Sequence, residues 1–288
     1  MVKKGIMSSL ITYRNHYRST LSSLYEQGEI DDFFKRGIAF FFDWNSLKIG
    51  LEPHYELSED EKSQLDHLLA ELKTGKPLQY IFGVTYFMEL TLEVNKGVLI
   101  PRPETEELIE WVLNENTQNK LHLWDLCSGS GCIALAIQSA QKSWEVKGFE
   151  LSEEALIIAK KNALKHHLSS NFYRADVLNW VTINESCDII VSNPPYVFPS
   201  EKVQMHKNVL DHEPHLALFA PEDDPLCFYR AILKIAQENL HVKGKVYFEI
   251  NPKCVEDLIL LGKSYNFNNA VVKKDIFGKE RFIKFSNV

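Results

Sequence analysis

Two hydrophobic rhythms run along this chain, and they divide it. In the first third, apolar positions recur every three or four residues. Leu10, Tyr13, Tyr17, Leu21 and Leu24 form one stripe, and Leu65, Leu68, Leu69 and Leu72 form another. That spacing puts side chains on one face of an α-helix and predicts helices in both places. Ser58, with Glu61 three residues on, supplies a capping box for the second helix, and Gly75 and Pro77 mark its end. The aromatic stretch from Phe40 to Trp44 predicts a third helix packed on the others. Residues 1–76 therefore read as a small helical bundle.

From Tyr80 to Ile100 the rhythm becomes extended. Tyr86, Phe87, Leu90, Leu92 and Val94 lead into Asn95-Lys96-Gly97, a tight-turn sequence, and then Val98-Leu99-Ile100. This predicts a β-hairpin in a linker spanning residues 77–100, turning at Asn95 to Gly97. Beyond Pro101, short apolar runs alternate with amphipathic patterns. The runs are Leu121 to Leu126, Val146 to Phe149, Asp188 to Val191 and Val246 to Ile250, with a further strand closing at Asp176. Helical patterns cover Ile133 to Gln141, Glu153 to His166 and Phe228 to Leu240. Such alternation predicts an α/β domain over residues 101–288, with a mainly parallel, doubly wound sheet. Ligands of such sheets sit outside the C-terminal strand ends, near the switch in strand order.

Composition narrows the class. The 288 residues are 45% hydrophobic and 25% charged, an ordinary globular balance. A formal charge of −7 offers no global positive field for nucleic acid. Five scattered cysteines without a CxxC pair argue against a disulfide framework or zinc site and for reduced thiols in the cytoplasm. Lys3 and Lys4 precede an apolar stretch broken by Ser8 and Ser9, too short for a signal peptide. No apolar run is long enough to span a bilayer.

The candidate chemistry lies at strand ends. Cys127-Ser128-Gly129-Ser130-Gly131-Cys132 follows the first α/β strand and opens a helix. Glycines let the backbone approach a ligand closely, and the helix N-terminus offers unpaired N–H groups to a carboxylate such as that of a methionine moiety. Gly129, Gly131 and Ala134 also fit the looser dinucleotide pattern, so the loop alone does not exclude a nicotinamide cofactor. Glu150, at the end of the next strand, is placed to accept from ribose hydroxyls. Asp176 can take an exocyclic adenine amine with Val177 beside the ring, or it can cap a turn.

The most specific signal is Asn193-Pro194-Pro195-Tyr196, directly after a buried strand. Paired prolines stop sheet pairing and fix the backbone. The Pro194 carbonyl and the Asn193 side-chain oxygen can then hold the two hydrogens of a planar NH2 group. Such a nitrogen is a poor nucleophile because its lone pair is delocalised. Two acceptors that favour a more tetrahedral nitrogen, aligned in-line with a sulfonium methyl, lower that barrier. Tyr196 is expected to stack on or wall in the acceptor.

This motif is shared by several amino-group methyltransferases, including those acting on adenine N6. The surroundings resemble one family more closely. Leu99-Ile100-Pro101-Arg102-Pro103-Glu104-Thr105-Glu106, Pro77-Leu78-Gln79-Tyr80-Ile81-Phe82-Gly83, and His212-Glu213-Pro214-His215-Leu216-Ala217-Leu218 look like segments of the glutamine methyltransferases of peptide chain release factors. So do Glu222-Asp223 and Phe228-Tyr229-Arg230, and the resemblance runs in order from about Ser58 to Arg281. It implies a Rossmann-like class I domain with a seven-stranded sheet, S-adenosyl-L-methionine as donor, and a Gly-Gly-Gln glutamine as acceptor. It also implies that Cys127 to Gly131, Glu150, Asp176 and Val177 face the cofactor, with Asn193 contacting both cofactor and acceptor. Asn193 to Tyr196 would form the glutamine pocket, and the bundle would grip the release factor. Cys127, His215 and Asn251 depart from the family's commoner glycine, arginine and glycine. A DNA or RNA adenine methyltransferase and a non-catalytic release-factor-binding module are the rival readings. His206, His212, His215 and Glu213 lack metal-site spacing, since Pro214 interrupts any helix there.

Overall fold

The structure, a computed structural model, describes residues 9–287, so Lys3, Lys4 and the reading built on them lie outside the described residues. It resolves into two compact units. Among the described residues, one comprises the chain up to Phe82 together with Lys207–His212; the other comprises Gly83–His206 and the residues from Glu213 onward.

The first unit holds helices α1 (Leu10–Leu21), α2 (Gln27–Phe42), α3 (Ser46–Leu51), α4 (Glu59–Leu72) and α5 (Leu78–Phe82). A later helix, Lys207–His212, which is α9 in chain order, also belongs to it. The predicted stripes are buried except for Leu24, which lies exposed in the turn after α1: Tyr17 and Leu21 of α1 pack with Phe34 and Ile38 of α2 and with Leu65, Leu68 and Leu72 of α4. The capping box forms, with Ser58 Oγ accepting from Glu61 N and Glu61 Oε2 accepting from Ser58 N. The aromatic stretch is not a helix of its own. The stripe Ile30, Phe34 and Ile38 starts α2 earlier, Phe40 to Phe42 are its last turn, and Asp43 ends it with φ 53°.

The second unit opens with a hairpin, β1 (Val84–Phe87) and β2 (Leu90–Glu93). Its turn is Met88-Glu89, with Met88 at φ 49°, and not the expected Asn95 to Gly97. Register explains the shift, because pairing Phe87 with Leu90 and Thr85 with Leu92 puts all four on one buried face. Asn95 instead forms a local turn, with Gly97 N donating to Asn95 Oδ1 (2.8 Å), and residues 98–100 form no strand.

There follow α6 (Pro103–Glu115), β3 (His122–Leu126), α7 (Cys132–Ala140), β4 (Glu145–Glu150), α8 (Glu153–Lys165), β5 (Asn171–Arg174) and β6 (Cys187–Ser192). After α9 come α10 (His215–Leu218), α11 (Cys227–Asn239), β7 (Leu240–Glu249), α12 (Val255–Ser264), β8 (Asn269–Lys274) and β9 (Glu280–Ser286). The expected α/β architecture holds: seven strands in the order β5-β4-β3-β6-β7-β9-β8, with only β9 antiparallel to its neighbours. One core packs α6, α7 and α8 on the sheet, and another packs α11 and α12. Strand order reverses between β3 and β6, so the loops after those strands diverge and leave a crevice. Among the described residues no helix is long and apolar enough to cross a membrane.

Candidate active site

A cavity of ≈ 200 Å³ lies at the ends of β3, β4, β5 and β6, where the sheet topology predicts a ligand. Cys127, Ser128, Gly129 and Ser130 line it after β3, Glu150 at the end of β4, Asp176 and Val177 after β5, and Asn193 and Pro195 after β6.

The glycine loop turns tightly because Cys127, Gly129 and Gly131 all take positive φ, at 64°, 52° and 81°. At Cys127 an L-residue holds the left-handed conformation that glycine adopts freely, at a cost of about 1–2 kcal/mol. Burial, then the charges of Glu150 and Asp125, hold its thiol well above the usual range and therefore neutral. Gly129 N donates to Glu150 Oε2 and Ser152 N to Glu150 Oε1, both at 2.8 Å. Glu150 thus pins the loop to β4, and the backbone N–H groups of Gly129, Leu151 and Ser152 leave part of the carboxylate's acceptor capacity for a ligand. Burial raises the Glu150 carboxyl above its ordinary value, against the pull of those backbone N–H groups. Asp176 does cap a turn, its Oδ1 accepting from Leu178 N (2.9 Å), and it lines the cavity as well.

At the other side of the crevice, β6 ends on Ser192 and the chain kinks through the buried Pro194 and Pro195. Asn193 Nδ2 donates to Thr105 Oγ1 at 3.3 Å, and among the described residues no group donates to Asn193 Oδ1 or to the Pro194 carbonyl. Tyr196 behaves differently from the stacking expectation: its hydroxyl donates to Glu249 Oε1 at 2.7 Å, and neither it nor Pro194 lines the cavity. Burial and the Glu249 charge hold that phenol well above its usual range. Asn251 Nδ2 reaches the Tyr196 carbonyl (3.3 Å) and Glu201 Oε2 (2.7 Å), so this departure tethers the residues after the kink.

Two participants escaped the sequence reading. Thr105 lines the cavity, and its hydroxyl donates to Glu249 Oε2 at 2.7 Å. Glu249 is 2% exposed at the end of β7. Its signal was an acid inside the apolar run Val246 to Ile250, where a buried charge requires partners. Arg102 and Glu213 also pair, at 2.7 Å, and Glu213 Oε2 accepts from Ile100 N at 3.2 Å. That pair ties together two cavity walls, Gly97 to Arg102 and Pro214 to Ala217. Among the described residues no three His, Cys, Asp or Glu side chains gather as metal ligands.

A mostly parallel sheet with a glycine loop and a proline kink on either side of its switch point is the architecture of a class I methyltransferase. Residues 105–215 match the family model of the methyltransferase small domain, and residues 15–83 match that of the PrmC N-terminal domain. The chain is 41% identical to the release factor glutamine methyltransferase of Flavobacterium psychrophilum, covering 94% of this chain and 97% of that one. It is 39% identical to the enzyme of that name from Bacteroides thetaiotaomicron, over 93% and 96% of the two chains. The chain belongs to the release factor glutamine methyltransferase family. Solved structures support the fold: a methyltransferase from Pyrococcus furiosus (TM-score 0.51, 15% identity, 78% of this chain and 98% of that one). The human methyltransferase 10 domain containing protein has the same score at 18% identity, over 69% and 90%.

The class uses S-adenosyl-L-methionine, and the cavity suits it. Ser128, a residue of the wall, keeps its buried Oγ without a hydrogen-bond partner, so polar capacity is held in reserve beside the cavity. A methyl group built on Gly129 would meet nothing within 4 Å, which leaves open space beside the loop.

Proposed function

We propose that the protein transfers a methyl group from S-adenosyl-L-methionine to the side-chain amide nitrogen of the glutamine in the Gly-Gly-Gln loop of peptide chain release factors. One observation carries the reading: Asn193 offers an uncommitted oxygen to the same cavity that the glycine loop lines. When bound, S-adenosyl-L-methionine supplies an electrophilic methyl on a sulfonium centre. Cys127 to Ser130 and Glu150 hold it, with Asp176 and Val177 on the adenine side, while Gly131, expected beside the cofactor, faces Phe172 and Ala159 and lets the loop turn. Asn193 Oδ1 and the Pro194 carbonyl accept the two hydrogens of the glutamine NH2. Holding both favours a more tetrahedral nitrogen, restores lone-pair density and aims it along the line of displacement. No base is needed before attack, because the extra proton leaves afterwards.

The labour divides along the chain: residues 1–76 recognise the release factor, 77–100 form the link and 101–288 carry out transfer, in the cytoplasm. A nucleic-acid acceptor is disfavoured by the formal charge of −7, and a non-catalytic module by the uncommitted acceptor pair. Protein incubated with methyl-labelled donor and either release factor or duplex DNA tests the reading. Label is expected on the loop glutamine of the release factor, as a single methyl in the mass spectrum. Label in DNA alone, or binding without any mass change, overturns it. Asn193→Ala should retain donor binding with a small loss and lose ~10²–10³ in transfer rate, by analogy with removing a positioned transition-state donor.

A further inference from the structure

Asn193 is useful to the reaction only in one orientation. An amide has an oxygen that accepts and a nitrogen that donates, and a half-turn about its last bond exchanges them. With the nitrogen toward the acceptor, NH2 would face NH2 and the substrate would be repelled. Something must choose the face, and the network behind the cavity does so.

Glu249 is the fixed point of that network. It is 2% exposed, and each of its two oxygens takes one hydroxyl proton, Oε2 from Thr105 Oγ1 (2.7 Å) and Oε1 from Tyr196 Oη (2.7 Å). A carboxylate only accepts, so the single Thr105 proton must point at Glu249. Thr105 Oγ1 then has only lone pairs left for Asn193, and it can be met only by the donating Nδ2, at 3.3 Å. Asn193 Oδ1 is thereby the atom left for the acceptor. The Tyr196 arm anchors the far end of Asn-Pro-Pro-Tyr to the same carboxylate.

We propose that Glu249 is a positioning residue of the transfer: through Thr105 it sets the face of the Asn193 amide, and through Tyr196 it holds the kink that carries the Pro194 carbonyl. The inference rests on the reading of Asn193 given above and deepens it.

The groups facing Glu249 bear on its titration. Burial raises its carboxyl above the ordinary glutamate value; the hydroxyls of Thr105 and Tyr196 and the charge of Arg281 on β9 oppose this, and Glu104 on α6 adds to it. Tyr229 on α11 donates to the Glu249 carbonyl rather than to the carboxylate (3.1 Å). When the carboxylate is protonated it gains a donor of its own, which competes with a hydroxyl proton and releases the choice of face. Transfer therefore falls on acidification at a pH above the range of an ordinary carboxylate.

The experiment compares wild type, Asn193→Ala, Thr105→Val, Thr105→Ser and Glu249→Gln in single-turnover transfer to a release factor, with donor affinity by calorimetry and melting temperature alongside. If wild type transfers nothing, or Asn193→Ala transfers as wild type does, the underlying reading fails first. With that reading intact, Thr105→Val should lose about 10- to 100-fold in transfer rate at nearly unchanged donor affinity, the scale of losing an oriented hydrogen bond at a reacting centre. Thr105→Ser restores the hydroxyl and should recover most of the rate. Equal impairment of the valine and serine variants, or a valine variant as fast as wild type, overturns the proposal. Should the valine variant fold poorly, the pH profile decides. With donor kept saturating at every pH, so that weaker donor binding through Glu150 does not enter, the acid limb seen in wild type should vanish in Glu249→Gln, and an unchanged limb overturns the proposal.

Discussion

Alanine at Gly129 and alanine at Gly131 should separate the two tasks of the glycine loop. Both positions have positive φ, 52° and 81°, so either change forces an L-residue into the left-handed region at ~1–2 kcal/mol. Their surroundings differ. The new methyl at Gly129 meets nothing within 4 Å and stands at the cavity wall. At Gly131 it would lie 2.8 Å from Phe172 Cζ and 3.2 Å from Ala159 Cβ, inside the layer where α8 packs on β5. Overpacking there adds ~1–3 kcal/mol, for a total of roughly 2–5 kcal/mol against 1–2 at Gly129. Donor binding should order them the other way. A methyl intruding on a packed ligand contact costs ~1–3 kcal/mol, or roughly 5- to 150-fold in Kd for Gly129→Ala. Urea unfolding and calorimetry with S-adenosyl-L-methionine read the two quantities separately. Equal destabilisation of the two variants, or a Gly129→Ala protein that binds donor as wild type does, would refute this division.

Glu213→Ala strands the Arg102 guanidinium and the Ile100 N–H. Breaking a buried pair costs ~3–5 kcal/mol, and with Arg102 32% exposed the expectation drops to about 2 kcal/mol in urea unfolding. A change within about 0.5 kcal/mol, the scale of an ordinary surface substitution, would mean that the two cavity walls are not held by this pair. Glu150 gives a pH dependence of the donor step. Its carboxyl is raised by burial, so on acidification it takes a proton above the ordinary glutamate range and loses acceptor capacity. Donor affinity should be level near neutrality and fall in that window; a fall confined to the ordinary range counts against Glu150 as a donor contact. Stability runs the opposite way, because a raised acid stabilises the fold below its unfolded value, and that contribution disappears as pH rises through the folded one.

The sheet was readable wherever burial produced a mainly apolar run. Leu123 to Leu126 and Ile189 to Val191 are buried on both faces, Val146 to Phe149 is buried apart from Lys147, and the strands containing them fall where the sequence places them. Strands β8 and β9 were not assigned. In β8 the run Asn269 to Lys274 has no fully buried residue, so its composition resembles a surface segment. It pairs as an edge strand because β9, with Phe282, Ile283 and Phe285 buried, supplies the hydrogen-bonding partner. The misplaced hairpin turn has a related cause. Asn95-Lys96-Gly97 is the better turn sequence taken alone, yet register across Phe87 and Leu90 outweighs it, and Met88 accepts positive φ as a consequence.

The candidate site was readable to the extent that it is made of backbone. Glycines and paired prolines announce unusual chain geometry, so the loop after β3 and the kink after β6 stand out in a linear sequence. Proton direction does not. Whether Asn193 presents oxygen or nitrogen depends on a threonine 88 positions earlier, and that threonine answers to a glutamate 144 positions further on. Neither residue type is distinctive, and only the fold brings α6, β6 and β7 to the same point. A motif search can therefore find Asn193 without finding what, on the proposed reading, turns its oxygen toward the cavity. The physical requirement still leaves one trace in the sequence: an acid inside a buried strand end must be met by donors, and the hydroxyls that meet it lose the freedom to point anywhere else. In this protein the acid is Glu249, and the freedom it removes is the freedom of Asn193 to turn the wrong way.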